Sequence, residues 1–110
     1  MSLIKIIVYK TNTQKEPFTE WLFDLDKETR ALITARLKRL SLGNFGKSKL
    51  LKQASGVWEL IIDYGPGYRI YFGKEGNSIV VLLTGGDKGS QTRDIAKAER
   101  YWLDHKESQT

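Results

Sequence analysis

A chain of 110 residues has room for one domain and one hydrophobic core, so residues 1–110 are read as a single domain and two catalytic domains are excluded. A hydrophobic share of 40% with three Trp, five Tyr and four Phe belongs to a compact fold rather than a disordered segment. With no cysteine and one histidine, disulfides, thiolate chemistry and Cys- or His-ligated metal sites fall away, and the net charge of +5 points to anionic partners.

Leu3 to Tyr9 is rich in Ile and Val and is predicted as the first strand. Lys5 interrupts this apolar run, which is too short for a signal-peptide core or a membrane span, so the expectation is a cytoplasmic protein with no membrane partner. Phe18, Trp21, Leu22 and Leu25 recur at three- and four-residue spacing, the buried stripe of a short helix with Pro17 near its first turn. Asp26 is placed to cap a second helix running to about Leu42, with Leu32, Ile33, Leu37 and Leu40 inward and Arg30, Arg36, Lys38 and Arg39 on its polar side. Gly43-Asn44-Phe45-Gly46 stops that helix, and a basic loop from Lys47 to Gln53 follows.

No Asp or Glu occurs between Thr29 and Trp58, whereas Arg30, Arg36, Lys38, Arg39, Lys47, Lys49 and Lys52 all do. Such a one-signed segment suits a polyanion, because phosphate contacts supply most non-specific nucleic-acid affinity; the plainer reading is a solvated helix face with a lysine-rich loop.

Val57 to Gly73 reads as a β-hairpin around Tyr64-Gly65-Pro66-Gly67-Tyr68. Centred on Pro66, the hairpin pairs Ile62 with Ile70 and Leu60 with Phe72 on an apolar face, and Asp63 with Arg69, Ile61 with Tyr71 and Glu59 with Gly73 on the other. One face is then core, and the other displays polar chemistry. Ile79 to Leu83 is a central strand, Thr84 to Gly89 a flexible loop, and a last helix runs from an N-cap at Ser90 towards His105, burying Ile95, Ala98 and Trp102. The predicted fold is α+β: strand, helix, helix, three-stranded antiparallel meander, helix, with the helices packed on one sheet.

The series Gly43-Asn44-Phe45-Gly46 with Lys49, Gly56-Val57-Trp58-Glu59-Leu60, Tyr64-Gly65-Pro66-Gly67-Tyr68-Arg69-Ile70-Tyr71-Phe72, and Gly85-Gly86-Asp87-Lys88 with Gln91 and Asp94-Ile95 resembles the RelE/ParE superfamily of toxins. The likeness is to its HigB-like, phage-derived addiction module killer branch. The resemblance implies the toxin of a toxin–antitoxin pair, held inactive by a cognate antitoxin that is often a helix-turn-helix DNA-binding protein. RelE-like members cut mRNA on the ribosome and inhibit translation without a metal or cofactor. ParE-like members poison DNA gyrase instead, and an inactive RNA-binding relic is a further alternative.

Metal-free RNA cleavage uses the 2′-hydroxyl as nucleophile and needs groups that take its proton, stabilise the phosphorane and protonate the leaving oxygen. By the resemblance, Arg69 matches the arginine under the scissile phosphate and Lys88 a second basic residue; the alternative for Arg69 is a cross-strand ion pair with Asp63. Tyr71, expected on the face of Arg69, is either a base-stacking or proton-relay group or ordinary strand packing. Lys47, Lys49 and Lys52, with Arg36, Arg39 and Gln91, are candidates for binding messenger or ribosomal RNA, a lysine serving as base if neighbouring positive charge lowers its pKa. Asp87 either orients Lys88 or caps the last helix, and His105, the one imidazole, is an acid–base candidate near a C-terminus expected to fray. Trp21, Trp58 and Trp102 are assigned to the core.

Overall fold

The computed structural model describes residues 3–109, folded as five strands, three α-helices and a 3-10 turn. In chain order these are β1 (Lys5–Val8), α1 (Pro17–Phe23), α2 (Lys27–Ser41), β2 (Ser48–Leu50), β3 (Trp58–Ile62), β4 (Tyr68–Glu75), β5 (Ile79–Asp87), the 3-10 turn (Lys88–Ser90) and α3 (Gln91–Ser108). All strands join one sheet in the order β1-β5-β4-β3-β2, with β1 parallel to β5 and the other neighbours antiparallel. The α+β architecture is therefore the expected one, with one additional short strand.

The local signals for the helices act as expected. The Asp26 carboxylate accepts from Thr29 N at 3.2 Å and from Thr29 Oγ1 at 2.6 Å, closing the first turn of α2, and these bonds hold its pKa below the usual carboxylate value. Pro17 opens α1, whose Phe18 joins Ile33 and Leu40 of α2 against Leu60, Ile62, Ile70, Phe72, Val80 and Leu82 on one sheet face.

Contrary to the expectation of one polar sheet face, the opposite face is also covered. Ala98 and Trp102 of α3 pack there against Tyr9, Val57, Tyr71, Val81 and Leu83. The unbroken apolar run of β5 is thus buried on both sides, as a central strand requires.

Three local expectations are corrected. The segment from Lys47 to Gln53 is not all loop: Ser48–Leu50 pairs with Leu60–Trp58 as an edge strand, too short and lysine-rich to carry a periodic signal. Thr84 to Asp87 continues β5 instead of forming a flexible loop. Its glycines serve close packing, because a Cβ on Gly85 would collide with the Trp21 ring and one on Gly86 with the Asp94 carboxylate.

The hairpin turns about Gly65 rather than Pro66, so Ile62 pairs with Tyr68, Leu60 with Ile70, Ile61 with Arg69 and Glu59 with Tyr71. Gly65 and Gly67 both take positive φ, +56° and +83°, and these permissive residues on either side of Pro66 set the turn geometry. The slip is two residues, so every side chain keeps its expected face even though its partner changes.

Candidate functional site

The two-residue slip places four side chains in one row across the sheet: Lys49 on β2 pairs with Glu59 on β3, Glu59 with Tyr71 on β4, and Tyr71 with Thr84 on β5. In the next row on the same face stand Ile61, Arg69 and Gly86. Gly86 offers no side chain, and Asp94 of α3 packs its carboxylate onto that backbone while accepting a short hydrogen bond from Ser90 Oγ.

Glu59 is at the centre and its side chain is wholly buried. Its Oε2 accepts from Gln91 Nε2 at 2.8 Å and lies 3.9 Å from Arg69 Nε, while Oε1 lies 3.8 Å from Lys49 Nζ. The last two separations are ion pairs, beyond hydrogen-bonding length. Among the described residues, three buried side-chain nitrogen or oxygen atoms lack any hydrogen-bond partner: Glu59 Oε1, Arg69 Nε and Tyr71 OH. All three belong to this one cluster. Each such atom costs about 1–3 kcal/mol, and folded proteins satisfy nearly all their buried polar groups. Concentration of the exceptions in one spot singles out this cluster as the candidate site.

Arg69 is the member best placed to meet an anion. Its side chain retains 11% exposure, and its Nε makes no hydrogen bond while facing Glu59 at 3.9 Å as an ion pair. Lys49 is more open, at 60%. Lys88 is exposed at the head of the 3-10 turn, and its Cβ lies close to where a side chain on Gly67 would project, beside the entry to β4.

Tyr71 is corrected from a surface to a core residue: it is completely buried and cannot stack on a base. Burial, and then the Glu59 carboxylate, push its hydroxyl well above the usual tyrosine pKa, so it remains a neutral O–H group.

The expected pair of Arg69 with Asp63 is replaced by Arg69 with Glu59. Asp63 instead meets Lys47 at 3.0 Å on the surface, an ion pair that holds the Asp63 carboxyl below its ordinary value. Lys52 is exposed beyond β2. Arg36 and Arg39 border a small cleft with Phe45 and Leu60, and Leu60 belongs to the core on the α2 side. The acid-free segment therefore divides: Lys49 joins the Glu59 cluster, whereas Arg36 and Arg39 flank the other face of the sheet.

Asp87 caps. Its side chain accepts from Ser90 N at 3.2 Å, so the turn after β5 starts with a reciprocal capping box, and Ser90 itself turns its hydroxyl to Asp94 rather than capping α3. His105 lies inside a helix that continues to Ser108, buried rather than frayed, with Nε2 2.5 Å from Glu75 Oε1 and its ring stacked on Trp102 at 5.6 Å. Glu75 ends β4 and Arg69 stands near its start, roughly 20 Å away at about 3.3 Å per residue, which separates His105 from the cluster.

Beside the cluster a groove of about 440 Å³ runs between α1 and the start of α3, with Thr84 to Asp87 as its floor. Glu20, Asp24, Asp87 and Asp94 line it alongside Arg93 and Lys97, so its mixed charge suits a polyanion less well than the face bearing Lys49, Arg69 and Lys88. Among the described residues no group of three or more His, Asp or Glu side chains converges as a metal site, and no helix is long and apolar enough to cross a membrane.

Glu59 and Asp94 were not among the expected site residues. The signal for Glu59 was present in the sequence as a lone acid inside the apolar run Val57 to Ile62, on the face shared by Arg69 and Tyr71.

Residues 20–102, which include every member of the cluster, match the family described as Phage derived protein Gp49-like. A protein of Haemophilus influenzae, described only as uncharacterized, is 45% identical over 83 residues, covering 74% of this chain and 82% of that one. Among solved structures, a mutant of the E. coli toxin RelE in its free state superposes with a TM-score of 0.62 over 90% of this chain and 95% of the other. At 11% identity that is a likeness of fold.

Proposed function

Because this chain belongs to the phage-derived Gp49-like family, we propose that it is the toxin of a toxin–antitoxin pair, acting as a metal-independent endoribonuclease on mRNA at the ribosome. The observation that carries the reading is the cluster of unsatisfied buried polar atoms around Arg69, on a sheet of the RelE type. A guanidinium free of hydrogen bonds at Nε, with exposed lysines on the neighbouring elements, is matched in charge and shape to a phosphodiester, which a guanidinium takes through two parallel hydrogen bonds.

In the proposed reaction the 2′-hydroxyl loses its proton and its oxygen bonds to the adjacent phosphorus. The bond from phosphorus to the 5′-oxygen breaks, and that oxygen takes up a proton, leaving a 2′,3′-cyclic phosphate and a 5′-hydroxyl. Arg69 stabilises the charge that builds on the non-bridging oxygens, and Lys49 and Lys88 add positive charge to the same face. Tyr71, neutral and buried, supports the strand pair beneath Arg69 rather than touching RNA. Gln91 braces the site from below, and Lys47 and Lys52 on the β2 side, with Arg36 and Arg39 on the flank, contribute to holding messenger or ribosomal RNA backbone. The partners on this reading are mRNA, the ribosome and a cognate antitoxin, in the cytoplasm.

Brief induction in growing cells tests it. This reading predicts a rapid fall in protein synthesis with no DNA-damage response. A DNA-damage response with translation intact would instead mark a gyrase poison, and no effect on growth an inactive relic.

A further inference from the structure

Glu59 presents a physical puzzle that the cleavage chemistry leaves open. A carboxylate is the wrong charge for a phosphate site, and burying one is costly unless it is paired and hydrogen-bonded. Glu59 is completely buried, yet it has one hydrogen bond from a neutral amide and two cations held at 3.8 and 3.9 Å. An apolar residue in its place would continue the run from Val57 to Ile62 and remove that burden. Its partners come from three separate elements: Lys49 from β2, Arg69 from β4 and Gln91 from the start of α3. It approaches Arg69 at Nε, so this ion pair does not use the terminal nitrogens of the guanidinium, the pair that would take two phosphate oxygens.

We propose that Glu59 is a positioning residue: its buried carboxylate orients Arg69 and Lys49 towards one phosphodiester and restrains the affinity of that face for RNA. This inference rests on the nuclease reading above. Glu59 itself touches no substrate. It acts through Arg69, fixing the direction of the fork so that the contacts strengthen as charge develops on the phosphorane, and it offsets part of the positive charge that would otherwise bind intact RNA too tightly. Interactions that favour the transition state over bound substrate raise turnover, whereas uniform attraction does not.

The two halves of this role move in opposite directions, which separates it from a purely structural one. In Glu59→Gln the shape and the acceptor for Gln91 remain, but the negative charge between Lys49 and Arg69 is lost. The expected result is RNA binding tighter by roughly fivefold, with a plot of log affinity against log salt steeper by about 0.7 for the one added charge, and single-turnover cleavage on programmed ribosomes slower by at least about tenfold. Glu59→Asp keeps the charge and shortens the reach, so affinity and salt slope stay at wild-type values while cleavage slows. This second variant decides the matter if Glu59→Gln does not fold.

Cleavage by Glu59→Gln at the wild-type rate overturns the proposal. So does a joint fall of affinity, cleavage and thermal midpoint, the signature of simple loss of structure. If the wild-type protein cuts no RNA, the nuclease reading falls by itself. The binding measurements then decide Glu59 alone, and unchanged affinity and salt slope in Glu59→Gln overturn its role.

Discussion

The side-chain amide of Gln91, the first residue of α3, donates to Glu59 Oε2 at 2.8 Å and ties the start of the last helix to the middle of β3. It supplies the one hydrogen bond of a fully buried carboxylate. Gln91→Ala is therefore expected to cost about 1–3 kcal/mol of stability, the penalty for stranding a buried polar group, measured by urea unfolding. An unchanged unfolding midpoint would mean that Glu59 does not depend on this bond.

Arg69 should lose both stability and activity, the second far more. It is ion-paired with the buried Glu59 carboxylate at 3.9 Å, so Arg69→Ala leaves that charge with Lys49 as its remaining cation and is expected to cost about 3 kcal/mol in urea. The same change should reduce RNA cleavage at least about 100-fold, as loss of a group that stabilises developing charge does. Arg69→Lys keeps the charge without the fork and should recover only a minor part of the rate. Full activity in Arg69→Lys would show that charge alone suffices.

The general plan of the fold was legible because it rests on signals that are local. The stripe Phe18, Trp21, Leu22 and Leu25, the Asp26 cap, and alternation through the hairpin each specify an element without knowledge of its neighbours. What escaped depends on contacts distant in sequence. Strand β2 exists because Leu60–Trp58 offers it a ladder, and Gly85-Gly86 is strand because a tryptophan ring and a carboxylate occupy the space a Cβ would need.

The candidate site was half legible on the same grounds. Face parity put Glu59, Arg69 and Tyr71 together, and it survived because the register slip is an even number of residues. Parity is silent on what covers that face, so nothing local revealed that α3 buries Tyr71 and Glu59, or that Arg36 and Arg39 stand across the sheet from them.

Tyr71 gives a prediction that is read from pH as well as from stability. Its ring is packed and its hydroxyl faces the buried Glu59 carboxylate, so Tyr71→Phe removes a dipole that helps to hold that charge and is expected to lower stability by about 1 kcal/mol at neutral pH. Because the folded state raises its pKa above the ordinary 10.0, the stability of the wild-type protein is fully present below about pH 10 and lost as pH climbs above it. Tyr9, raised by burial and by the Asp104 carboxylate, adds to this loss, so the alkaline fall in Tyr71→Phe should be shallower but not absent. Urea unfolding at pH 8 and pH 10.5 compares the two proteins, and identical pH slopes would contradict the assignment.

Gly86→Ala tests the packing behind the site. The added methyl group would meet the Asp94 carboxylate, which Ser90 already holds, so the start of α3 has to shift to admit it. A loss of about 1–3 kcal/mol, the usual cost of overpacking, is expected together with reduced cleavage, since the same helix start carries Gln91. Wild-type stability in this variant would show that Asp94 is free to move aside.

Primer extension on cellular mRNA after brief induction, comparing the wild-type protein with Arg69→Ala, tests the central claim most directly. The nuclease account predicts new 5′ ends at regular positions within translated codons for the wild type and none for Arg69→Ala. Intact mRNA in cells arrested by the wild-type protein, or the same cuts in both samples, would contradict it.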